Sequence, residues 1–231
     1  MSETIVITGT SRGIGLQLVH TFLERGWRVF GCSRGPSDVS HSNYQHFELD
    51  VADEKAVVNM FGAVRRAGKP LYALLNNAGS ASMNHVLTTP VETMEKLFRV
   101  NTLGTMICTR EAAKMMVLKR RGRIINFGSV ACSYALEGEA VYVATKAAVE
   151  AYTRVVAREL GEYGVTVNAI SPNPVKTDLI AGVPEAKMTA LVNRQSIKRY
   201  GEYLDILQVI DFLLHPDTTF TTGQTIYLGG P

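Results

Sequence analysis

Cysteine is scarce in this chain of 231 residues: Cys32, Cys108 and Cys132 are odd in number and far apart, with no paired Cys or His at metal-ligand spacing. That excludes a disulfide scaffold and a thiolate zinc site, and the three are read as reduced, buried thiols. Proline is sparse too, with 8 residues against 20 glycines. Pro70, Pro172, Pro174 and Pro216 fall at element ends and not in a run, so no linker divides the chain. No apolar stretch approaches the roughly 18 residues of a membrane helix, and the start, MSETIVITGT, has no basic head or cleavage site. A cytoplasmic protein is expected. Neither sign of charge dominates: 24 basic and 21 acidic residues leave a net charge of +3 spread along the chain, which offers no footprint for nucleic acid or a membrane surface. The one basic run, Lys119, Arg120, Arg121 and Arg123, reads as a solvated helix end.

What is present is globular: 46% hydrophobic and 19% charged residues, in a length that suits one domain spanning 1–231. Short β-branched runs at 4–8, 28–33, 45–49, 71–76, 123–127, 166–171 and 225–228 alternate with amphipathic stretches at 13–25, 53–67, 90–119, 141–163, 184–194 and 203–214. This pattern predicts an α/β, doubly wound, seven-stranded parallel sheet with helices on both faces and right-handed crossovers. The second crossover is the exception. Its residues 34–44, RGPSDVSHSNY, leave no room for an amphipathic helix and predict a loop.

The first strand runs into Thr8-Gly9-Thr10-Ser11-Arg12-Gly13-Ile14-Gly15 and then into a helical pattern. Gly9, Gly13 and Gly15 allow a tight turn, close approach of backbone to a pyrophosphate and close packing of helix on strand, while the helix N-terminus offers free N–H groups. The loop can hold an anion; a glycine-rich turn without a ligand is the plainer alternative. Asp50-Val51 and Asn76-Asn77-Ala78-Gly79 follow strands three and four, at the carboxyl ends where an open parallel sheet places its ligand. Small residues there admit something flat, and the Asp50 carboxylate can accept from an adenine amino group, although turn chemistry accounts for each alone. Thirteen residues beyond Ser129, Tyr142 and Lys146 are spaced four apart on one helical face. An ammonium beside a phenol favours the phenolate and brings a group of pKa about 10 toward working pH.

Taken together, TGTSRGIG (8–15), NNAG (76–79), Asn101, Ser129, YVATK (142–146) and TGQTIYLGG (222–230), in this order over the full length, resemble the short-chain dehydrogenase/reductase family, single-domain type. Within it the sequence is most similar to the β-ketoacyl carrier-protein reductases. The resemblance implies that Tyr142 is the general acid or base, that Lys146 lowers its pKa and binds the nicotinamide ribose, that Ser129 holds the substrate oxygen, and that Asn101 fixes a water in a proton relay. Ser129 as a turn residue and Asn101 as a cap within its own helix are the structural alternatives.

For the cofactor the resemblance implies contacts from Gly9, Ser11, Arg12, Gly13, Ile14, Gly15, Asp50, Val51, Asn77, Ala78, Gly79, Tyr142, Lys146, Pro172, Val175 and Thr177. Ser33 stands at the end of strand two, where NAD-selecting members carry an acid, and Arg34 and Arg12 flank it; this predicts NADP(H). A cleft of Ala81, Met83, Tyr134, Leu136, Leu179, Ile180 and Met188 would take a small carbonyl or alcohol, carrier-linked in the reductases. A homotetramer is implied through the helices around 95–119 and 141–161, which carry Met94, Phe98, Met106, Val149 and Tyr152.

The sequence also departs from the family pattern. Asn173 replaces a glycine whose left-handed backbone Asn tolerates, and Pro174 disfavours αR at Asn173 and alters the loop. Of two basic positions that meet an acidic carrier protein, Arg120 matches one and Tyr163 occupies the other. Two rival functions remain open. A catalytically silent dinucleotide sensor on this fold usually lacks the tyrosine or lysine. An extended-type epimerase needs a further C-terminal domain.

Overall fold

A computed structural model describes residues 3–176, 180 and 182–231. The β-branched runs form seven strands, β1 (Thr4–Thr8), β2 (Arg28–Ser33), β3 (Tyr44–Glu48), β4 (Leu71–Asn76), β5 (Gly122–Phe127), β6 (Val165–Ser171) and β7 (Thr225–Tyr227). All pairings are parallel, in the order β3-β2-β1-β4-β5-β6-β7. The order reverses between β1 and β4, so the loops leaving their carboxyl ends part and open a crevice.

The helices are α1 (Gly13–Glu24), α2 (Glu54–Arg66), α3 (Val91–Leu97), α4 (Gly104–Met116), α5 (Ala131–Tyr134), α6 (Ala140–Gly161), α7 (Glu185–Arg194) and α8 (Tyr203–Leu214). One face of the sheet buries Val57, Met60 and Phe61 of α2, Ile107 and Met116 of α4 and Val156 of α6; the other buries Leu18 and Phe22 of α1 and Ile206 and Ile210 of α8. Between the layers runs a buried polar line. Asn76 Nδ2 donates to Asn126 Oδ1 (2.8 Å) and Thr109 Oγ1 (2.9 Å), and Asn126 Nδ2 donates to Thr153 Oγ1 (2.9 Å). These bonds fix β4 against β5, α4 and α6, since a slip would leave buried amides unpaired.

The crossover from β2 to β3 contains no helix, as its composition predicts. The helix expected over 90–119 is broken into α3, a π-helical stretch Phe98–Leu103, α4 and a 3-10 turn Val117–Lys119. Two other expectations are corrected. Cys132 is only half-buried, unlike Cys32 and Cys108. In the basic run only Arg123 departs from a solvated helix end: Lys119, Arg120 and Arg121 are exposed where the helical stretch ends, with Arg121 paired to Glu3 at 2.8 Å over the Tyr72 ring, whereas Arg123 is 3% exposed and donates to the carbonyls of Gly122 and Pro216. Strand β5 carries Arg123 inward where its ends are capped by carbonyls.

The glycines separate by what surrounds them. A Cβ on Gly15 would overlap the Gly9 carbonyl, backbone that cannot give, and the Asn77 side-chain amide, whereas Gly62, inside α2, has only the end of the Arg66 side chain nearby. Gly15→Ala is therefore expected to cost about 1–3 kcal/mol, and Gly62→Ala to add about 0.5–1 kcal/mol. Urea unfolding of both variants, with equal or opposite shifts, decides between this account and a generic glycine effect.

Candidate active site

Two adjoining chambers open at the carboxyl ends of the strands. The first, of about 400 Å³, is lined by Gly9, Ser11, Arg12, Gly13 and Ile14 from the β1–α1 loop, Ser33 and Arg34 after β2, Asp50 and Val51 after β3, and Asn77, Ala78 and Gly79 after β4. Gly9 has φ +75, which a side chain would strain, and its Cβ would overlap Ala78. Asn77 Nδ2 donates to the carbonyls of Thr8 (2.9 Å) and Gly9 (3.1 Å), and the Ala78 N–H donates to Thr8 Oγ1 (2.9 Å), so the β4 loop braces the glycine loop. Gly15 is not in the lining; it lies behind, in contact with Gly9. Asp50 uses Oδ1 to accept from the Ala52 N–H at 2.8 Å, which is turn chemistry, while its residue edge still faces the chamber. The free N–H groups of the α1 start and this glycine cradle fit the pyrophosphate of a dinucleotide.

The second chamber, of about 430 Å³, shares Ile14, Asn77, Gly79 and Ser80 with the first. Ser129, after β5, and Tyr142 and Lys146, on α6, line it together. Lys146 Nζ donates to the Phe127 carbonyl at 2.7 Å. Burial lowers Lys146 to about 8, with Cys132 and Glu150 opposing the fall. Burial likewise pushes Tyr142 up to about 12, and the Ser129 hydroxyl beside it only partly offsets that. This corrects the expectation that Lys146 draws the phenol down: in the chain alone, desolvation dominates both groups. Asn101 does not reach the chamber. Its amide accepts from the Ser80 N–H (2.8 Å) and donates to the Ser80 carbonyl (2.9 Å) and Thr145 Oγ1 (3.0 Å), from within the π turn.

Pro172 and Val175 border the second chamber; Thr177 and Leu179 lie outside the described residues. The loop before Pro174 runs differently, and Asn173 does not take up the left-handed backbone that Asn tolerates. Its amide instead donates to the Leu228 carbonyl at the end of β7, and the Pro174 carbonyl accepts from the Gly201 N–H at 2.9 Å. Ala81, Met83, Leu136, Ile180 and Met188 line the cleft, but Tyr134 does not. The left-handed Ala135 ends α5 and leaves Tyr134 under the Arg194 guanidinium, its hydroxyl donating to the Gly230 carbonyl at 3.2 Å.

Glu139 was not singled out from sequence and also lines the cavity; burial raises its carboxyl, opposed by Lys187. Its place at the N-cap of α6, three residues before Tyr142, is the signal that could have found it. Glu150 was missed as well. It accepts from Ser171 Oγ and the Tyr227 hydroxyl, both at 2.8 Å, tying α6 to β6 and β7.

Comparison with known proteins bears on this arrangement. A family model described as enoyl-(acyl carrier protein) reductase matches residues 9–230. A short-chain type dehydrogenase/reductase of Picea abies is 30% identical over 97% of this chain and 90% of its own length. The chain belongs to the short-chain dehydrogenase/reductase family. As a member of that family it is an oxidoreductase, similar also to the 3-oxoacyl-(acyl-carrier-protein) reductase FabG of Vibrio cholerae (29% identical, 99% and 96% covered). Among solved structures, ElxO with NADP bound superposes with a TM-score of 0.89 at 27% identity, covering 99% of this chain and 97% of that one. 4-Hydroxyisoleucine dehydrogenase complexed with NADH gives 0.88 at 27% identity, covering 99% and 98%. Among the described residues, no helix is long and apolar enough to cross a membrane.

The buried lysine gives this dehydrogenase/reductase a testable pH signature. With a folded value of about 8, below its ordinary 10.5, Lys146 binds fewer protons folded than unfolded, so stability rises as pH climbs from 8 toward 10. Lys146→Met is expected to gain on the order of 2 kcal/mol at pH 7, an advantage that shrinks by pH 10. Denaturant unfolding at both pH values reads this; an advantage independent of pH would assign the effect to packing.

Proposed function

We propose that residues 1–231 act as one NADP(H)-dependent unit that moves hydride between the nicotinamide and a small carbonyl or alcohol, in the manner of a β-ketoacyl reductase. The observation that carries this reading is the convergence of Ser129, Tyr142 and Lys146 on a cavity continuous with the glycine-loop chamber. Bound NADP(H) supplies or accepts the hydride. Ser129 donates a hydrogen bond to the substrate oxygen and orients it. Tyr142, protonated and buried, gives its hydroxyl proton to that oxygen in reduction and takes it back in oxidation. Lys146, near neutrality at about 8, gains or loses a proton next to Tyr142 without large cost. Asn101 holds the Ser80 loop and α6 in register.

Cofactor choice follows from charge. Ser33 presents no carboxylate to repel a 2′-phosphate, and Arg34 and Arg12 line the same chamber. The cleft is apolar through Met83, Leu136, Ile180 and Met188, which suits an acyl or alicyclic ketone. A carrier protein has little to grip: Arg120 donates to the Glu162 carbonyl and lies over the Tyr163 ring. For assembly the exposed Phe98, Leu103, Leu118 and Val155 on the long helices support a homotetramer, whereas Val149 is already covered within its own chain. Light scattering is expected to give a multiple of 25.3 kDa, and a monomer refutes the assembly. Reduced thiols without a disulfide fit the cytoplasm.

Tyr142→Phe is expected to retain NADPH binding and lose at least about 100-fold in kcat, followed as NADPH absorbance over a panel of ketones and β-ketoacyl thioesters. Wild type should favour NADPH over NADH by about 10-fold or more in kcat/KM, and Ser33→Asp with Arg34→Ala should abolish that preference. Full activity in the phenylalanine variant removes the assigned chemistry; a preference for NADH removes the assigned cofactor.

A further inference from the structure

The end of β2 is supported by something other than a crossover helix. His46 on β3 stands opposite Gly31 in the parallel register. Its Nε2 lies 3.1 Å from Ser33 Oγ and 3.0 Å from the Gly35 carbonyl, and its Nδ1 lies 3.0 Å from the Tyr44 hydroxyl. Tyr44 in turn donates to Thr10 Oγ1 at 3.2 Å, and Thr10 Oγ1 donates to the Cys32 carbonyl at 3.3 Å. A Cβ on Gly31 would overlap the Tyr44 hydroxyl, so the glycine makes room for this network. His46 thus joins the glycine loop, the Ser33 position and the start of the crossover, from a place just behind the first chamber.

The protons in the network have a direction. Ser33 Oγ donates to the Gly35 carbonyl at 2.8 Å, leaving its lone pairs to an Nε2–H. A neutral ring with that tautomer takes a proton at Nδ1 from the Tyr44 hydroxyl or from Thr10 Oγ1, 3.4 Å away, and this conflicts with either the Tyr44–Thr10 bond or the Thr10–Cys32 bond. A protonated ring removes the conflict: Nδ1–H donates to Tyr44, Tyr44 to Thr10, and Thr10 to the Cys32 carbonyl, with every donor used. The hydroxyl relay therefore accepts a proton on the imidazole without breaking a bond.

We propose that His46 is a positioning and specificity-determining residue for the cofactor: it takes up a proton from solvent when a 2′-phosphate docks at Ser33, adding a third cation behind Arg12 and Arg34. This rests on the NADP(H) reading above. The other ionisable groups on the elements that meet here are Tyr44 and Glu48 on β3, Arg34, Asp38 and His41 on the crossover, Arg12 on the glycine loop, and Cys32 and, at the far end over the Phe30 ring, Arg28 on β2. His41, the second histidine, is exposed, and its Nδ1 accepts from the Asn43 N–H at 3.0 Å. It serves as the control.

The test is the Kd of NADPH and of NADH for the full chain at pH 6.5, 7.5 and 8.5, by fluorescence and by calorimetry in two buffers of different ionisation heat. The range lies above the second ionisation of a phosphate monoester, near 6, whose own titration would strengthen binding as pH rises. Wild type is expected to lose about 5-fold or more in NADPH affinity from pH 6.5 to 8.5, with proton uptake on binding, and to show no such slope for NADH. His46→Gln flattens the NADPH slope and abolishes the uptake, and His41→Gln keeps both. Should His46→Gln not fold, Tyr44→Phe, which removes the hydroxyl that accepts the Nδ1 proton together with its bond to Thr10, is expected to shrink the slope. A wild-type NADPH affinity independent of pH, or an unchanged slope in His46→Gln or Tyr44→Phe, overturns the proposal while leaving NADPH preference standing. NADH bound as tightly as NADPH at every pH overturns the cofactor reading and the proposal with it.

Discussion

Three hydrogen bonds from the Asn101 side chain, two to the Ser80 backbone and one to Thr145, tie the loop after β4 to the helix that carries Tyr142 and Lys146. The bonds exist because Phe98–Leu103 is a π turn, whose extra residue per turn redirects the side chain from the course an α-helix would give it. Thr145 passes the constraint on through its hydroxyl, which donates to the Tyr142 carbonyl at 2.7 Å, and Thr102 adds a bond to the Thr145 carbonyl at 3.2 Å. Ser80 borders both chambers, so the same amide sets the wall between them. Each of these groups is buried or partly so, and an unpaired one would cost about 1–3 kcal/mol.

Around that anchor the chain buries more charge than stability alone would favour. Lys146 and Glu150 sit one helical turn apart on α6, with only 5% and 7% of their surface exposed. Glu150 is held by Ser171 and Tyr227, while Lys146 has a single carbonyl. The asymmetry leaves the lysine as the strained member of the pair. Such local cost is retained where activity needs the group.

The fold was legible because parallel strands buried on both faces advertise themselves as β-branched runs, and because RGPSDVSHSNY carries too many breakers for a helix. The site was legible as spacing, since Tyr142 and Lys146 must share a face. Long-range placement was not. FRVNTL has ordinary helical composition, so no local signal marks its π turn. Tyr134 looked like a wall of the cleft until the left-handed Ala135 put it against Gly230. The direction of the Tyr142 shift depends on how much water the folded chain removes, a quantity that sequence spacing does not contain. Arg123 reads as one of a basic run, yet strand alternation carries it into the interior.

The helix-free crossover has a dynamic consequence. Strand β3 is an edge strand paired on one side only, with Tyr44, His46 and Phe47 half-buried and Gln45 and Glu48 exposed. Its backbone amides are therefore the ones whose hydrogen exchange should report partial opening well below the free energy of global unfolding. Because the Tyr44–His46–Ser33 contacts are made only when β3 is docked, such an opening dismantles the far wall of the first chamber while β1, β4 and β5 stay closed. Opening at this edge would give a dinucleotide a way into the first chamber without parting the strands at the centre of the sheet.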